Sequence, residues 1–252
     1  MNAFVTGATA GFGKAIALRM AKLGYNLIIT GRRKERLDSL SETLKNEYSV
    51  KVLPLCFDIR DREACRLAVE NLPTEWKKID VLVNNAGLAA GSAPFNEFDI
   101  DDWERMIDTN VKGLLYISRY ITPLMVAAKS GHIINLSSIA GREVYPSGNV
   151  YCATKHAVNA ISQGMRIDML KHNIKVSSIS PGAAETEFSL VRFHGDKAKA
   201  DAVYQGLTPL NADDIADAVE YIVTRPAHVN INDIFITPAR QANTYVYNRT
   251  ED

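Results

Sequence analysis

Apolar residues follow two rhythms along this chain. Short β-branched runs occur at "AFVTG" (3–7), "YNLIITGRR" (25–33), "VKVLPLCFD" (50–58), "IDVLVNNAG" (79–87), "GHIINLSS" (131–138), "IKVSSISPG" (174–182) and "DIFIT" (233–237). Between them, helical spacing governs about 12–23, 34–48, 62–72, 101–129, the stretch around Tyr151, and 211–224. The runs are continuously apolar rather than alternating, as expected when helices cover both faces of a sheet. Strict strand–helix alternation implies right-handed crossovers. It predicts an α/β fold: a doubly wound parallel sheet with helices on both faces. One irregular stretch, about 183–209, follows the sixth strand and reads either as a substrate lid or as a surface excursion.

Ligands of such sheets sit beyond the carboxyl ends of the strands, and the motifs of this chain fall there. "TGATAGFG" (6–13) follows the first strand. Gly7 permits the turn, Gly11 lets backbone approach a pyrophosphate, and Gly13 allows a helix to pack against the strand, leaving a helix N-terminus for phosphate. Thr9 and Phe12 lie in the same turn. The spacing is GxxxGxG, not GxGxxG. The second strand ends in "TGRR", with Arg32 and Arg33 and no preceding acid. An acidic residue here suits a free 2′-hydroxyl and arginine suits a 2′-phosphate, so NADP is expected over NAD. Asp58, followed by Ile59, ends the third strand, where it can accept from adenine or cap the next helix. "NNAG" ends the fourth with Asn85, Ala86 and Gly87; Asn85 is placed for the cofactor ribose.

"YCATK" sets Tyr151 and Lys155 four residues apart on a helix. Such residues share a face, and a nearby ammonium favours the phenolate, bringing tyrosine closer to use as an acid or base near neutral pH.

Composition narrows the field. Of 252 residues, 46% are hydrophobic and 23% charged, and 29 Lys plus Arg balance 29 Asp plus Glu. No basic field for nucleic acid or an anionic membrane is expected. Cys56, Cys65 and Cys152 lack CxxC spacing and the five histidines do not cluster, so no disulfide framework or metal site is expected. No apolar run approaches a membrane span. No charged-then-apolar leader opens the chain, so a cytoplasmic location is expected.

Taken together, "TGATAGFG", "NNAG", Ser137–Ser138, "YCATK" and Pro181–Gly182 resemble the short-chain dehydrogenase/reductase family, in that family's order and over nearly the whole chain. The resemblance implies a single Rossmann-like domain over 1–252, a nicotinamide cofactor, and a tetrad of Asn110, Ser138, Tyr151 and Lys155. Ser138 would bond the substrate oxygen and Tyr151 exchange a proton with it. Lys155 would contact the cofactor ribose and lower the tyrosine pKa, and Asn110 would hold a water. Pro181 and Gly182 would flank the nicotinamide, with Thr186 on its carboxamide. Members are commonly homotetramers or dimers; here the 101–129 and Tyr151 helices would cross a two-fold axis.

"GREVYPSGNVYCATKHAV", "ETEFSLVRFHGD" and "PAHVNINDIFITP" resemble NADP-dependent 3-hydroxy acid dehydrogenases, which act on serine, allo-threonine and related short acids. Ala183 and Ala184 stand where bulkier apolar residues are expected. A 3-hydroxy acid needs a carboxylate partner, and Arg142 and Arg192 are the candidates, with surface or subunit-interface roles as the alternative. Other readings are a different carbonyl substrate (sugar, alcohol or acyl thioester) or a non-catalytic NADPH-binding regulator.

Overall fold

The computed structural model describes residues 1–250. Seven strands form one parallel sheet: β1 Asn2–Val5, β2 Asn26–Gly31, β3 Val52–Cys56, β4 Val81–Asn84, β5 Gly131–Leu136, β6 Ile174–Pro181 and β7 Asp233–Ile236. Their order across the sheet is β3-β2-β1-β4-β5-β6-β7, with every pair parallel. The chain winds outward from β1 to one edge, then returns to β4 and winds to the other. A crevice therefore opens at the carboxyl ends of β1 and β4. Pro54 lies in β3, an edge strand, where proline's missing N–H is tolerated.

Helices α1 Gly11–Lys22, α2 Lys34–Tyr48 and α3 Arg62–Glu70 follow the first three strands. One core layer packs α1 on the sheet through Ile16, Ala17 and Met20 against Val5, Leu27 and Ile29. The opposite layer sets Ile117, Ile121 and Met125 against Phe4, Leu82 and Ile133. Both faces of the central strands are covered, which accounts for their unbroken apolar character.

The expected 101–129 helix is not continuous. It runs as α4 Ile100–Ile107, a π-helical stretch Asp108–Gly113, and α5 Leu114–Ala128. The interruption falls on Asn110, whose side chain points inward and is buried. Such π turns are frequent at functional sites.

The remaining helices are α6 Asn149–Met169, α7 Glu187–Arg192, α8 Lys197–Ala202 and α9 Ala212–Val223. The irregular 183–209 segment thus holds two short helices. Tyr204 anchors it: its hydroxyl donates to the Ala184 carbonyl at 2.8 Å and lies 2.7 Å from Ser189 Oγ. No helix among the described residues is long and apolar enough to cross a membrane.

Candidate active site

The crevice is a cleft of about 480 Å³ running from the β1–α1 turn to the amino end of α6 and α7. At its first end the chain turns sharply after β1, with Gly7 at φ 67° and Gly11 at φ 50°, values in the left-handed region that favours glycine. Gly13 lies beneath the cleft rather than in its wall. A Cβ there would come within 2.3 Å of the Gly7 carbonyl and 2.4 Å of Asn85 Nδ2, so α1 can seat this closely only on glycine.

Asn85 braces that turn. Its amide nitrogen donates to the carbonyls of Thr6 at 2.9 Å and Gly7 at 3.2 Å, while Thr6 Oγ1 accepts from the N–H groups of Asn85 and Ala86 at 3.0 Å each. These two donor contacts are internal, and the residue also lines the cleft.

Thr9, Arg32 and Arg33 form one wall. Arg33 donates through Nε and Nη2 to Thr9 Oγ1 at 3.1 and 2.8 Å, and through Nη1 to Glu187 Oε2 at 3.0 Å. Arg32 lies 3.6 Å from Asp58. Asp58 does not cap the following helix; Asp61 does, accepting from the N–H groups of Glu63 and Ala64. Asp58 instead holds Arg60, and although burial opposes it, bonds from Arg60 and the charge of Arg32 hold its carboxyl below the usual range.

At the other end, three elements bring the tetrad together. Ser138 follows β5; its Oγ accepts from the Ala140 N–H at 3.1 Å and lies 3.5 Å from the Pro181 carbonyl. That second contact is at the limit of a hydrogen bond, leaving the hydroxyl proton free to turn into the cleft. Tyr151 and Lys155 share the buried face of α6. Lys155 Nζ donates to the Leu136 carbonyl at 2.9 Å and stands 5.9 Å from the centre of the Tyr151 ring. Asn110 sits behind them, outside the cleft wall. Its Oδ1 accepts from the Leu88 N–H at 2.8 Å, and its Nδ2 donates to the Leu88 carbonyl at 2.8 Å and Thr154 Oγ1 at 3.1 Å. Its side chain is thereby committed to holding the chain after β4 against α6.

The electrostatics differ from the simple expectation. Burial, reinforced by Tyr145, pushes the Tyr151 phenol above its ordinary value; Ser138 and Arg192 pull it down only partly. Burial brings Lys155 down to about 8. The protein alone therefore keeps Tyr151 protonated at neutral pH.

The two substrate candidates separate. Arg142 is outside the cleft: it pairs with Asp233 and stacks on Phe235 at 4.9 Å. The short 3-10 turn Ile139–Gly141 carries it toward β7. Arg192 lines the cleft, with Nη1 3.3 Å from the Tyr145 hydroxyl, Nε 3.3 Å from the Gly91 carbonyl and Nη2 3.5 Å from Ser92 Oγ. Among the described residues no carboxylate pairs with it. Beyond it, His194 Nε2 meets the buried Asp102 carboxylate at 2.9 Å, tying the end of α7 to α4.

Several lining residues carry no sequence signal. Tyr145 and Phe188 flank Tyr151, the latter edge-on at 5.7 Å between ring centres. Gln241, Thr244 and Tyr247 come from the tail after β7; Gln241 Oε1 accepts from the Ala183 N–H at 2.7 Å. Thr186 caps α7 through its Oγ1, at 3.2 Å from the Phe188 N–H, while facing Gly11 across the cleft.

Residues 1–196 match the short chain dehydrogenase family. The chain belongs to that family. This short chain dehydrogenase is 47% identical over 243 residues to the NADP-dependent 3-hydroxy acid dehydrogenase YdfG of Salmonella typhi, spanning 96% of each chain. It is 44% identical over 239 residues to sulfoacetaldehyde reductase 2 of Chromohalobacter salexigens, spanning 94% of each. Its fold superposes on the closed form of serine dehydrogenase complexed with NADP+ with a TM-score of 0.92, at 44% identity and covering all of both chains.

Proposed function

We propose that this short chain dehydrogenase is an NADP-dependent oxidoreductase that interconverts short 3-hydroxy acids, serine-like or 3-hydroxypropionate-like, with their 3-oxo acids. The observation that carries the substrate class is Arg192: a guanidinium without a carboxylate partner among the described residues, facing the same cleft as Tyr151 and near enough to lower its pKa. An anionic group on the substrate would satisfy it, since a bidentate arginine–carboxylate contact gives orientation as well as affinity.

The cleft residues fit the cofactor. The Gly7–Gly13 turn leaves room for a pyrophosphate at the start of α1, and Arg32, Arg33 and Thr9 offer donors to a 2′-phosphate. Ile59 and Asp58 border the adenine side, while Ala86, Gly87, Pro181, Gly182 and Thr186 border the nicotinamide side. NADP(H), when bound, accepts or supplies the hydride.

The chain's own groups handle the oxygen and its proton. Ser138 donates to the substrate oxygen and fixes it beside Tyr151. In reduction, Tyr151, kept protonated by burial, gives its phenolic proton to that oxygen as charge develops there. In oxidation it takes the proton back. Lys155 places a positive charge beneath the phenol and so limits the cost of the phenolate. Asn110 positions α6 and the chain after β4. Residues 183–209 act as a lid on one catalytic domain.

The similarity to a sulfoacetaldehyde reductase favours a second reading in which the anion is a sulfonate. Both substrate types set an anionic group one methylene from the carbonyl, so Arg192 suits either. Exposed apolar residues Ile107 and Leu115, beside the π turn, and Ile167 on α6 support assembly into a homodimer or homotetramer through these helices. The test is incubation of purified protein with NADP and a panel of 3-hydroxy acids, their methyl esters and hydroxyalkane sulfonates, following absorbance of the reduced cofactor. Esters reacting as well as acids would exclude the anionic substrate class.

A further inference from the structure

We propose that Glu187 competes with the 2′-phosphate of NADP for Arg33, and so weakens the hold on NADP without changing the hold on NAD. This rests on the NADP reading above and concerns a residue that the reaction itself does not use. Glu187 is the first residue of α7, directly after Thr186. Its carboxylate reaches across the cofactor cleft to α2. Oε2 accepts from Arg33 Nη1 at 3.0 Å, and Arg36 Nη1 lies 2.7 and 2.8 Å from its two oxygens. Although burial opposes it, these bonds hold the carboxyl below its ordinary value, so it is an anion at neutral pH.

Arg33 is thus shared between two neighbours of opposite use. Its Nε and Nη2 point to Thr9 Oγ1, inside the phosphate-facing wall, while Nη1 is spent on the lid. A ribose 2′-phosphate brings about 1.5 to 2 negative charges and three acceptor oxygens to the same donor set. Carboxylate and phosphate then stand as like charges around one guanidinium, and each weakens the other's contact. A bare 2′-hydroxyl brings no charge, so NAD leaves the Glu187 contacts as they are. The competing anion belongs to the lid, and seating the phosphate loosens α7 at this end. The far end stays fixed through the Gly91 N–H to Arg192 carbonyl bond at 2.8 Å and the His194–Asp102 contact.

All three side chains are about half exposed, at 44–48%. Solvent screening therefore keeps the effect modest. In Glu187→Gln, which keeps the shape and removes the charge, the NADP dissociation constant should fall about three- to tenfold, while that of NAD changes less than about twofold. Calorimetry with adenosine 2′,5′-bisphosphate and 5′-AMP makes the same comparison without nicotinamide or lid closure on it. The gain should appear with the bisphosphate alone. Unchanged or weaker NADP binding, or equal shifts for both nucleotides, would make Glu187 only a lid fastening and overturn the proposal. Arg33→Ala serves as the control for the underlying reading. If the wild type shows no preference for NADP over NAD, the cofactor reading fails; if Arg33→Ala leaves that preference intact, Arg33 does not hold the 2′-phosphate and the proposal is overturned; if it removes the preference, only the Glu187 arm decides.

Discussion

Lys155 gives its ammonium to the Leu136 carbonyl at 2.9 Å and lies 5.9 Å from the centre of the Tyr151 ring, so the two side chains share a helix face with no hydrogen bond between them. Lysine is held there as a buried charge whose cost the proposed proton transfer at Tyr151 would justify. Its folded pKa, about 8, is below its ordinary value of 10.5. The native state therefore binds fewer protons than the unfolded chain between those pH values. The destabilisation is complete below about pH 8 and absent above about 10.5. Lys155→Met should stabilise the protein at pH 7 by about 1–3 kcal/mol while abolishing turnover. Urea unfolding at pH 7 and pH 10.5 checks this: the gain should shrink at the higher pH, and a variant less stable at pH 7 would contradict it.

Tyr151→Phe removes only the phenolic oxygen. Turnover should drop about 10²- to 10⁴-fold, with NADPH affinity changed little. Single-turnover kinetics combined with fluorescence titration of the reduced cofactor separate the two. Near-normal turnover would assign the proton transfer to another group.

Replacing Arg32 and Arg33 together by alanine should weaken NADP binding by about 1.5–3 kcal/mol per lost charged contact and leave NAD nearly unaffected. Equal losses for both nucleotides would indicate instead that the turn around Thr9 has collapsed. Arg33 holds that turn through Thr9 Oγ1, so circular dichroism and a melting curve accompany the titrations.

Arg192→Ala should raise KM for the acid and lower kcat together, by about 10²-fold in kcat/KM, because orientation is lost with binding. Arg142→Ala should leave the discrimination between acid and methyl ester intact, since Arg142 pairs with Asp233 on the β7 side. Steady-state kinetics on both variants decide between them. A loss of acid preference in Arg142→Ala alone would reverse the assignment.

His132 offers an acid-range test of the core. Burial, with Lys175 adding to it, lowers its pKa from 6.5 to about 3, and its Nε2 lies 2.7 Å from Ser177 Oγ. Between pH 6.5 and 3 the unfolded chain takes up a proton that the native state refuses. The stability is whole above 6.5 and falls by about 1.4 kcal/mol per pH unit on acidification. Chemical denaturation at pH 6.5 and 5 should show that slope in the wild type and a shallower one in His132→Gln.

The strands were legible because each is an apolar run ended by glycine, polar or turn residues, and all seven appear where expected. That the glycine turn, Ser138, Tyr151 and Lys155 would meet at one cleft was legible, because they follow strand ends or share one helix face at fixed spacing. The π turn at Asp108–Gly113 was not. It changes which carbonyl each N–H reaches, while the side-chain pattern remains helical. Arg142 misled because closeness in sequence to Ser138 does not survive the turn between them. Gln241, Thr244 and Tyr247 follow no period, and only the return of the tail over the cleft brings them to Ala183 and Tyr145. Sequence could not predict that burial would raise the Tyr151 phenol, because desolvation depends on everything packed around it.

The winding of the sheet outward from β1 and back to β4 has a consequence for how such chains diversify. The residues proposed to read the cofactor's phosphates all precede β4, and those proposed to act on the substrate all follow it. A hybrid gene joined just after Asn84 would inherit nucleotide preference from one parent and substrate range from the other. Glu187 reaches back over that joint to Arg33 and Arg36, as Arg19 reaches forward over it to Asp213 and Glu220, so these are positions at which two well-folded parents would have to be matched.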